Sequence, residues 1–350
     1  MKQTLAQRMP PKPRILLIKL RSIGDVIYNT SVYTALKKRF PDSHLTVLVE
    51  PASLDIVRSH PAVDQALCFR KGRFFKEARF YLDLFRSRYD VAIDMHEGTR
   101  GALMCFVSQA KYRVGNKYAK RSFLYNEKLD FSDLEPRYPI DYQVALIKKM
   151  GAEFDEPSPE IHFDDVSGEN ARRILDGNGI GADDQYGIIH CGTRKKYDQW
   201  QFSKFAELSE SIAERFGVKV ILTCGPGEES QAEEVLKNVK GEAPAFFTAP
   251  LQELGRITRS ARFAVCHNGG YMHLASALKT PVVALFGVVN PRVWKPLGDR
   301  DIVLYKELEC SPCNSKTRKA ECFDGDAECK RRIEVDDVLS AVESLLQDQK

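Results

Sequence analysis

From residue 14 to residue 287 the chain alternates short apolar runs with longer mixed stretches. Residues 14–19, 45–49 and 89–94 are dense in Ile, Leu, Val and Ala, the pattern of strands buried on both faces of a parallel sheet. Gly24 marks a turn after the first run, and the spacing predicts a helix from about Asp25 to Phe40, ended by Pro41. The alternation restarts with strands at 186–190, 218–223, 263–266 and 282–286. Helices are expected at 202–216, 228–239 and 271–278. Between the two series lie an acidic, proline-rich stretch (153–160), a short helix near 167–175 and a glycine loop (177–181), together a hinge within 151–185. The expectation is α/β, with two Rossmann-like doubly wound domains over 14–160 and 170–335 and a C-terminal helix over 336–350. Residues 1–13 are polar and proline-bearing and are expected to be a disordered lead-in.

Composition narrows the class without naming a chemistry. The chain has 350 residues, 43% hydrophobic and 29% charged, as in a globular protein of two ordinary domains. The net charge of +4 favours anionic partners weakly and makes no case for nucleic acid. No stretch approaches the ~20 apolar residues of a membrane helix, and no signal peptide is evident. Nine cysteines, an odd number, then point to reduced thiols and a cytoplasmic location. Cys68, Cys105, Cys191, Cys224 and Cys266 sit in or beside apolar runs and are expected in cores. Cys310, Cys313, Cys322 and Cys329 offer four thiolates for a structural zinc, although their spacing is not that of a common finger; metal-free loop cysteines and redox pairing are the alternatives. One Asp-x-Asp that might chelate a metal, Asp324-Gly325-Asp326, lies far along the chain from the glycine turns and carries little weight.

Three stretches carry candidate chemistry. Asn268-Gly269-Gly270 joins a strand to a helix, a turn expected to visit positive φ and let a ligand approach the backbone. The free N–H groups and dipole of that helix suit a phosphate, with His273 in the first turn adding a hydrogen bond. An ordinary βαβ turn with a satisfied histidine reads equally well. Residues 70–88 are basic, aromatic and helix-compatible. They suit an anionic membrane surface, or a helix that packs its aromatics inward and solvates its arginines. The loop YRVGNKYAKRS and the lysine before it gather Lys111, Arg113, Lys117, Lys120 and Arg121.

The run from Asn268 to Ala275, followed by Thr280 to Gly287, resembles the signature of glycosyltransferase family nine, the ADP-heptose:lipopolysaccharide heptosyltransferases, which have the GT-B fold. The resemblance implies two Rossmann-like domains facing a central cleft, and an inverting transfer of heptose from ADP-heptose to a lipopolysaccharide inner-core acceptor. It implies a cytoplasmic enzyme, peripheral at the inner face of the inner membrane, with no cofactor required for catalysis. The run Ile23-Gly24-Asp25-Val26-Ile27 is similar to the family's Gly-Asp-Val segment, whose Asp is the proposed base. A carboxylate there would take the acceptor hydroxyl's proton; a helix cap is the plainer role. His190-Cys191-Gly192-Thr193 is similar to the family's first phosphate-contacting turn, and the run from Leu222 to Glu229 to its ribose-contacting segment, with Glu228 or Glu229 in that role. Donor contacts are therefore expected from Thr193, Lys195, Lys196, Glu228, Glu229, Asn268, Gly269, Gly270, Met272 and His273. Acceptor contacts are expected from Lys117, Lys120 and Arg121. Three positions depart from the family's pattern, the first being Gly269, where Ser or Thr is frequent. Asn268 stands where an Asp is usual, and Asp198 stands where a Lys precedes the tryptophan, here Trp200. A transferase using another nucleotide sugar, or a sugar-nucleotide-binding protein without turnover, are the rival readings.

Overall fold

The structure is a computed structural model. It describes residues 5–72, 74–131, 139–152, 158–313, 322 and 325–347. Arg73, Asp324 and most of the acidic stretch (153–157) lie outside the described residues. The chain divides into two compact units, Met1–His162 and Phe163–Lys350.

The first unit is a six-stranded parallel sheet in the order β3-β2-β1-β4-β5-β6. Its strands are β1 (Arg14–Ile18), β2 (His44–Val49), β3 (Gln65–Cys68), β4 (Val91–Asp94), β5 (Tyr112–Asn116) and β6 (Glu127–Leu129). Ile15, Leu16, Leu17 and Ile18 have no exposed surface, which is why their run is apolar on both faces. The helix Ile23–Arg39 follows β1, starting two residues earlier than its periodicity indicates because Ser22 is the N-cap. From Leu5 onward the amino-terminal stretch is ordered, contrary to expectation; residues 1–4 lie outside the described residues. A short helix, Leu5–Arg8, buries Leu5 and Met9, and Arg8 Nη1 stands 2.7 Å from Glu127 Oε1.

The second unit repeats the architecture, with strand order β12-β11-β10-β7-β8-β9. The strands are β7 (Tyr186–His190), β8 (Lys219–Thr223), β9 (Ala245–Phe246), β10 (Ala264–His267), β11 (Val282–Leu285) and β12 (Ile302–Leu304). One core cluster joins Trp200, Phe205 and Ile212 to Val338, Val342 and Leu345 of the last helix, Val335–Gln347, which therefore belongs to this unit's packing. In both sheets the strand order reverses beside the unit's first strand, between β1 and β4 and between β7 and β10. The carboxyl ends of such strands are where α/β sheets leave a crevice for ligands.

Candidate functional site

In the first unit, β1, β4 and β5 carry the candidate residues on their carboxyl-terminal edge. The Asp25 carboxylate accepts from the Ser22 N–H (3.1 Å) and the Ser22 hydroxyl (2.8 Å), and Lys19 Nζ stands 3.1 Å from it. Lys19 also donates to the Met95 carbonyl at 3.1 Å, so it spans from β1 to the end of β4. Burial works against the Asp25 charge. The Lys19 ammonium and the Ser22 hydrogen bonds outweigh it, and the carboxyl titrates below its ordinary value. Asp25 therefore caps its helix and is also held ionised.

One strand away, Asp94 is fully buried and pushed up to about 6 by that burial, although Tyr125 Oη donates to it at 2.6 Å and the His96 and Glu97 N–H groups at 2.8 and 3.1 Å. His96 is pushed down to about 4 by burial and by the nearby Lys19 and Arg21 charges, so it is a neutral imidazole near pH 7. The basic loop follows β5 on the same edge. Lys117 pairs with Asp130 at 3.0 Å, Lys120 is exposed, and Arg121 reaches the Thr99 carbonyl at 3.5 Å.

In the second unit the adjacent strands β10, β7 and β8 each end in a candidate loop. After β7, Thr193 is held by Gln231. Its N–H donates to Gln231 Oε1 at 3.0 Å, and Gln231 Nε2 donates to its carbonyl at 2.9 Å. Lys195 and Lys196 are exposed beyond it. After β8, Glu228 accepts from the Gly225 N–H at 3.0 Å and lies against Gly192, where a Cβ would meet its carboxylate. Burial raises the Glu228 pKa. Glu229 turns instead onto the Gly227 N–H at 3.1 Å. Glu228 is thus the acid that faces the first loop.

After β10, the helix Gly270–Ala277 opens with no side-chain cap on its first N–H groups. The expected positive φ is absent. Gly269 is extended, φ −169°, and has nothing within 4 Å of where a Cβ would be. The space above the helix start is therefore open. Met272 is fully buried, so its side chain is core, and His273 is also buried. Asn268, with its amide oriented to satisfy both ends, donates to Asp198 Oδ2 and Oδ1 at 2.7 and 3.0 Å.

A profile of glycosyltransferase family 9 (heptosyltransferase) matches residues 78–324, well over half of the chain. The chain belongs to glycosyltransferase family 9. It is 23% identical over 345 residues to lipopolysaccharide heptosyltransferase 3 of Escherichia coli, covering 93% of this chain and 97% of that one. A crystal structure of a family 9 glycosyl transferase from Veillonella parvula superposes with a TM-score of 0.83 at 20% identity, over 99% of both chains. The Escherichia coli ADP-heptose lps heptosyltransferase II superposes with a TM-score of 0.80 at 18% identity, over 96% of this chain and 100% of that one. These likenesses give the family 9 chain the GT-B fold.

The four cysteines expected to offer a structural zinc site gather near the C-terminal end of the second unit. Cys313, Cys322 and Cys329 join an apolar cluster with Val288 and Ala327. Among the described residues, no three of the four sulfurs lie within 4.8 Å of one another. The group that does meet that spacing is His60, Glu160 and His162. Its chemistry argues against a metal. The Ala62 N–H donates to His60 Nδ1 at 3.2 Å, and His60 is pushed down to about 4. The neutral ring then carries its proton on Nε2 and has no lone pair to give there.

Sequence reasoning missed Lys19, Asp94, Tyr125 and Gln231. Lys19 had a signal, a lysine directly after the buried run Ile15–Ile18. Gln231 had none, because its partner is brought to it only by the fold.

Proposed function

We propose that the protein is an inverting heptosyltransferase that moves a heptose from ADP-heptose to a lipopolysaccharide inner-core acceptor. The observation that carries this reading is the convergence of three loops, at Gly192–Thr193, Gly225–Glu228 and Asn268–Gly270, on the carboxyl ends of three neighbouring strands, one of them with an uncapped helix start. The N–H groups of that start, with Lys195 and Lys196 nearby in sequence, take the charge of the leaving diphosphate, a job that needs no metal. Glu228 suits the ribose hydroxyls. Asp25 takes the acceptor hydroxyl's proton as the hydroxyl attacks the anomeric carbon, and ADP leaves with inversion. Lys120 and Arg121, with Lys117, receive the acceptor's anionic groups.

The acceptor is a membrane lipid in this reading, and the helix Phe74–Arg86 is the surface that meets the membrane. Its one fully buried side chain is Leu84, whereas Phe74 and Phe75 are 79% and 83% exposed beside Lys71 and Lys76. Phe80 and Tyr81 pack onto Phe69, so the helix divides its aromatics between the core and the outside.

Transfer of heptose from ADP-heptose to a Kdo- or heptose-terminated acceptor by the purified protein tests the reading; binding of ADP without transfer to any acceptor would leave only a binding protein. Asn268 and Asp198 favour one variation, a different nucleotide sugar, which tighter binding of UDP than of ADP would reveal.

A further inference from the structure

Asp198 and Lys330 are 2% and 1% exposed, a buried ion pair with Lys330 Nζ 3.0 Å from Asp198 Oδ1. Lys330 lies on the short helix Glu328–Arg331, at the end of the cysteine-bearing segment. Its ammonium also donates to the Leu285 carbonyl at 2.6 Å, at the carboxyl end of β11. Room for the side chain comes from Gly287, where a Cβ would stand 3.0 Å from Lys330 Cε and 2.9 Å from Cys329 Sγ.

The same carboxylate holds the glycine turn, through the two hydrogen bonds from the Asn268 amide, and its Oδ1 is shared with Lys330. Asp198 itself closes the turn Lys196–Asp198, its N–H donating to the Lys195 carbonyl at 2.8 Å. The next anchor along is Trp200, whose N–H donates to His267 Nε2 at 2.9 Å, one residue before Asn268. One chain of contacts therefore runs from Lys330 through Asp198 to Asn268 and ties together the loops after β7 and β10.

We infer that Lys330 and Asp198 are positioning residues for the nucleotide diphosphate. The pair fixes the Asn268 amide, and Asn268 fixes the uncapped helix start beside it. A carboxylate at 268 would face Asp198 at hydrogen-bond distance with no proton between them, so this chain requires the neutral amide there. The lysine charge comes from the C-terminal segment, and Asp198 accepts from both Lys330 and Asn268. The pair is neutral as a unit and almost fully buried. It acts by removing freedom from the turn, which lowers the ordering cost of binding.

The inference rests on the nucleotide reading of these loops, and the test separates the two. Wild-type protein, Asn268→Asp, Lys330→Met and the double variant Lys330→Met/Asp198→Asn are titrated with ADP by calorimetry, with circular dichroism melts alongside. Asn268→Asp is expected to keep the fold and weaken ADP by about tenfold or more, through repulsion of like charges. Lys330→Met leaves a buried carboxylate unpaired and is expected to melt early and bind weakly. The double variant removes both charges and keeps an amide for Asn268, and is expected to return ADP affinity to within threefold of wild type. Unchanged ADP affinity in Asn268→Asp overturns the inference while leaving the nucleotide reading intact. Failure of the folded double variant to regain binding overturns the positioning role in favour of direct phosphate contact by Lys330. A wild type that binds neither ADP nor UDP takes down both.

Discussion

Lys19 Nζ stands 3.1 Å from Asp25 Oδ1, so the candidate base begins its work as half of an ion pair. The pair is largely sheltered from solvent, and the lysine is fixed at its other side by the Met95 carbonyl. A base so placed stays ionised well into acid but is weaker than a free carboxylate, and its strength is set by its neighbour. Asp25→Asn keeps the shape and much of the capping and removes the base. Turnover is expected to fall by ~10²–10⁴-fold with donor affinity kept. An Asn at this third helical position can still accept from the Ser22 N–H, so a purely structural Asp25 predicts turnover within threefold of wild type in the folded variant.

Lys19→Met tests the coupling through pH. The folded Asp25 pKa lies below its unfolded value, so the native state binds fewer protons in that window. Its stabilising contribution is present above about pH 4 and is lost as pH falls through the folded pKa. Removing Lys19 takes away the chief force lowering that pKa. The acid limb of kcat/KM should move to higher pH, and the acid loss of stability should flatten. An acid limb that stays in place would show that Asp25 does not govern it.

Gly101 lies where a Cβ would stand 2.6 Å from Asp94 Oδ2, and Asp94 cannot retreat because Tyr125 and two backbone N–H groups hold it. Gly101→Ala is expected to destabilise the protein by ~1–3 kcal/mol, the usual cost of overpacking. The same change in an Asp94→Ala background should cost much less, because the obstructing carboxylate is gone. Denaturant melts of the four proteins read the difference, and equal costs in both backgrounds would place the strain elsewhere.

The glycine turn gives a cleaner separation of fold from binding. Gly269 is extended, a conformation any residue adopts, and the space beside it is open. Gly269→Val should therefore leave the melting temperature near that of wild type while its side chain occupies the approach to the helix start. ADP affinity should drop by about tenfold or more if the diphosphate sits there. Full ADP affinity in a folded Gly269→Val would move the phosphate site off this turn.

The central strands were legible because burial on both faces leaves an unbroken apolar run, as at β1, β2, β7, β8 and β11. The outer strands β3, β6, β9 and β12 were not, since each is short and only partly buried. β5 was hidden by its own chemistry. Arg113 and Gly115 made it read as a basic loop, whereas Gly115 admits the Tyr125 ring, 2.5 Å from where a Cβ would be. The same limit applies to the site. Asp25, Thr193, Glu228 and the Asn268–Gly270 turn were visible because each follows a readable strand. Lys330 was not, because its contact with Asp198 exists only once β11 and the C-terminal segment are in place. Positive φ at the glycine turn was a wrong inference from residue type: Gly269 is extended.

The helix Phe74–Arg86 carries the last prediction, and its exposed residues make the argument. Phe74 and Phe75 are adjacent, nearly free of protein contact, and followed by Leu82 and Phe85 at 45% and 50% exposure. Two phenylalanines so exposed serve no core, and the basic residues around them favour an anionic interface. Wild-type protein should sediment with vesicles of phosphatidylglycerol and phosphatidylcholine and remain in solution with phosphatidylcholine alone. Binding should weaken as salt rises toward ~0.5 M, because the attraction of the basic side chains is screened. Phe74→Ala/Phe75→Ala should lose about tenfold or more of the vesicle affinity, since insertion of each ring contributes on the order of 1 kcal/mol. The double variant should turn over a water-soluble, lipid-free acceptor at the wild-type rate if these rings serve the bilayer contact alone. A double variant that sediments as wild type does would remove the phenylalanines from the membrane contact. A wild type that ignores anionic vesicles at low salt would remove the contact itself.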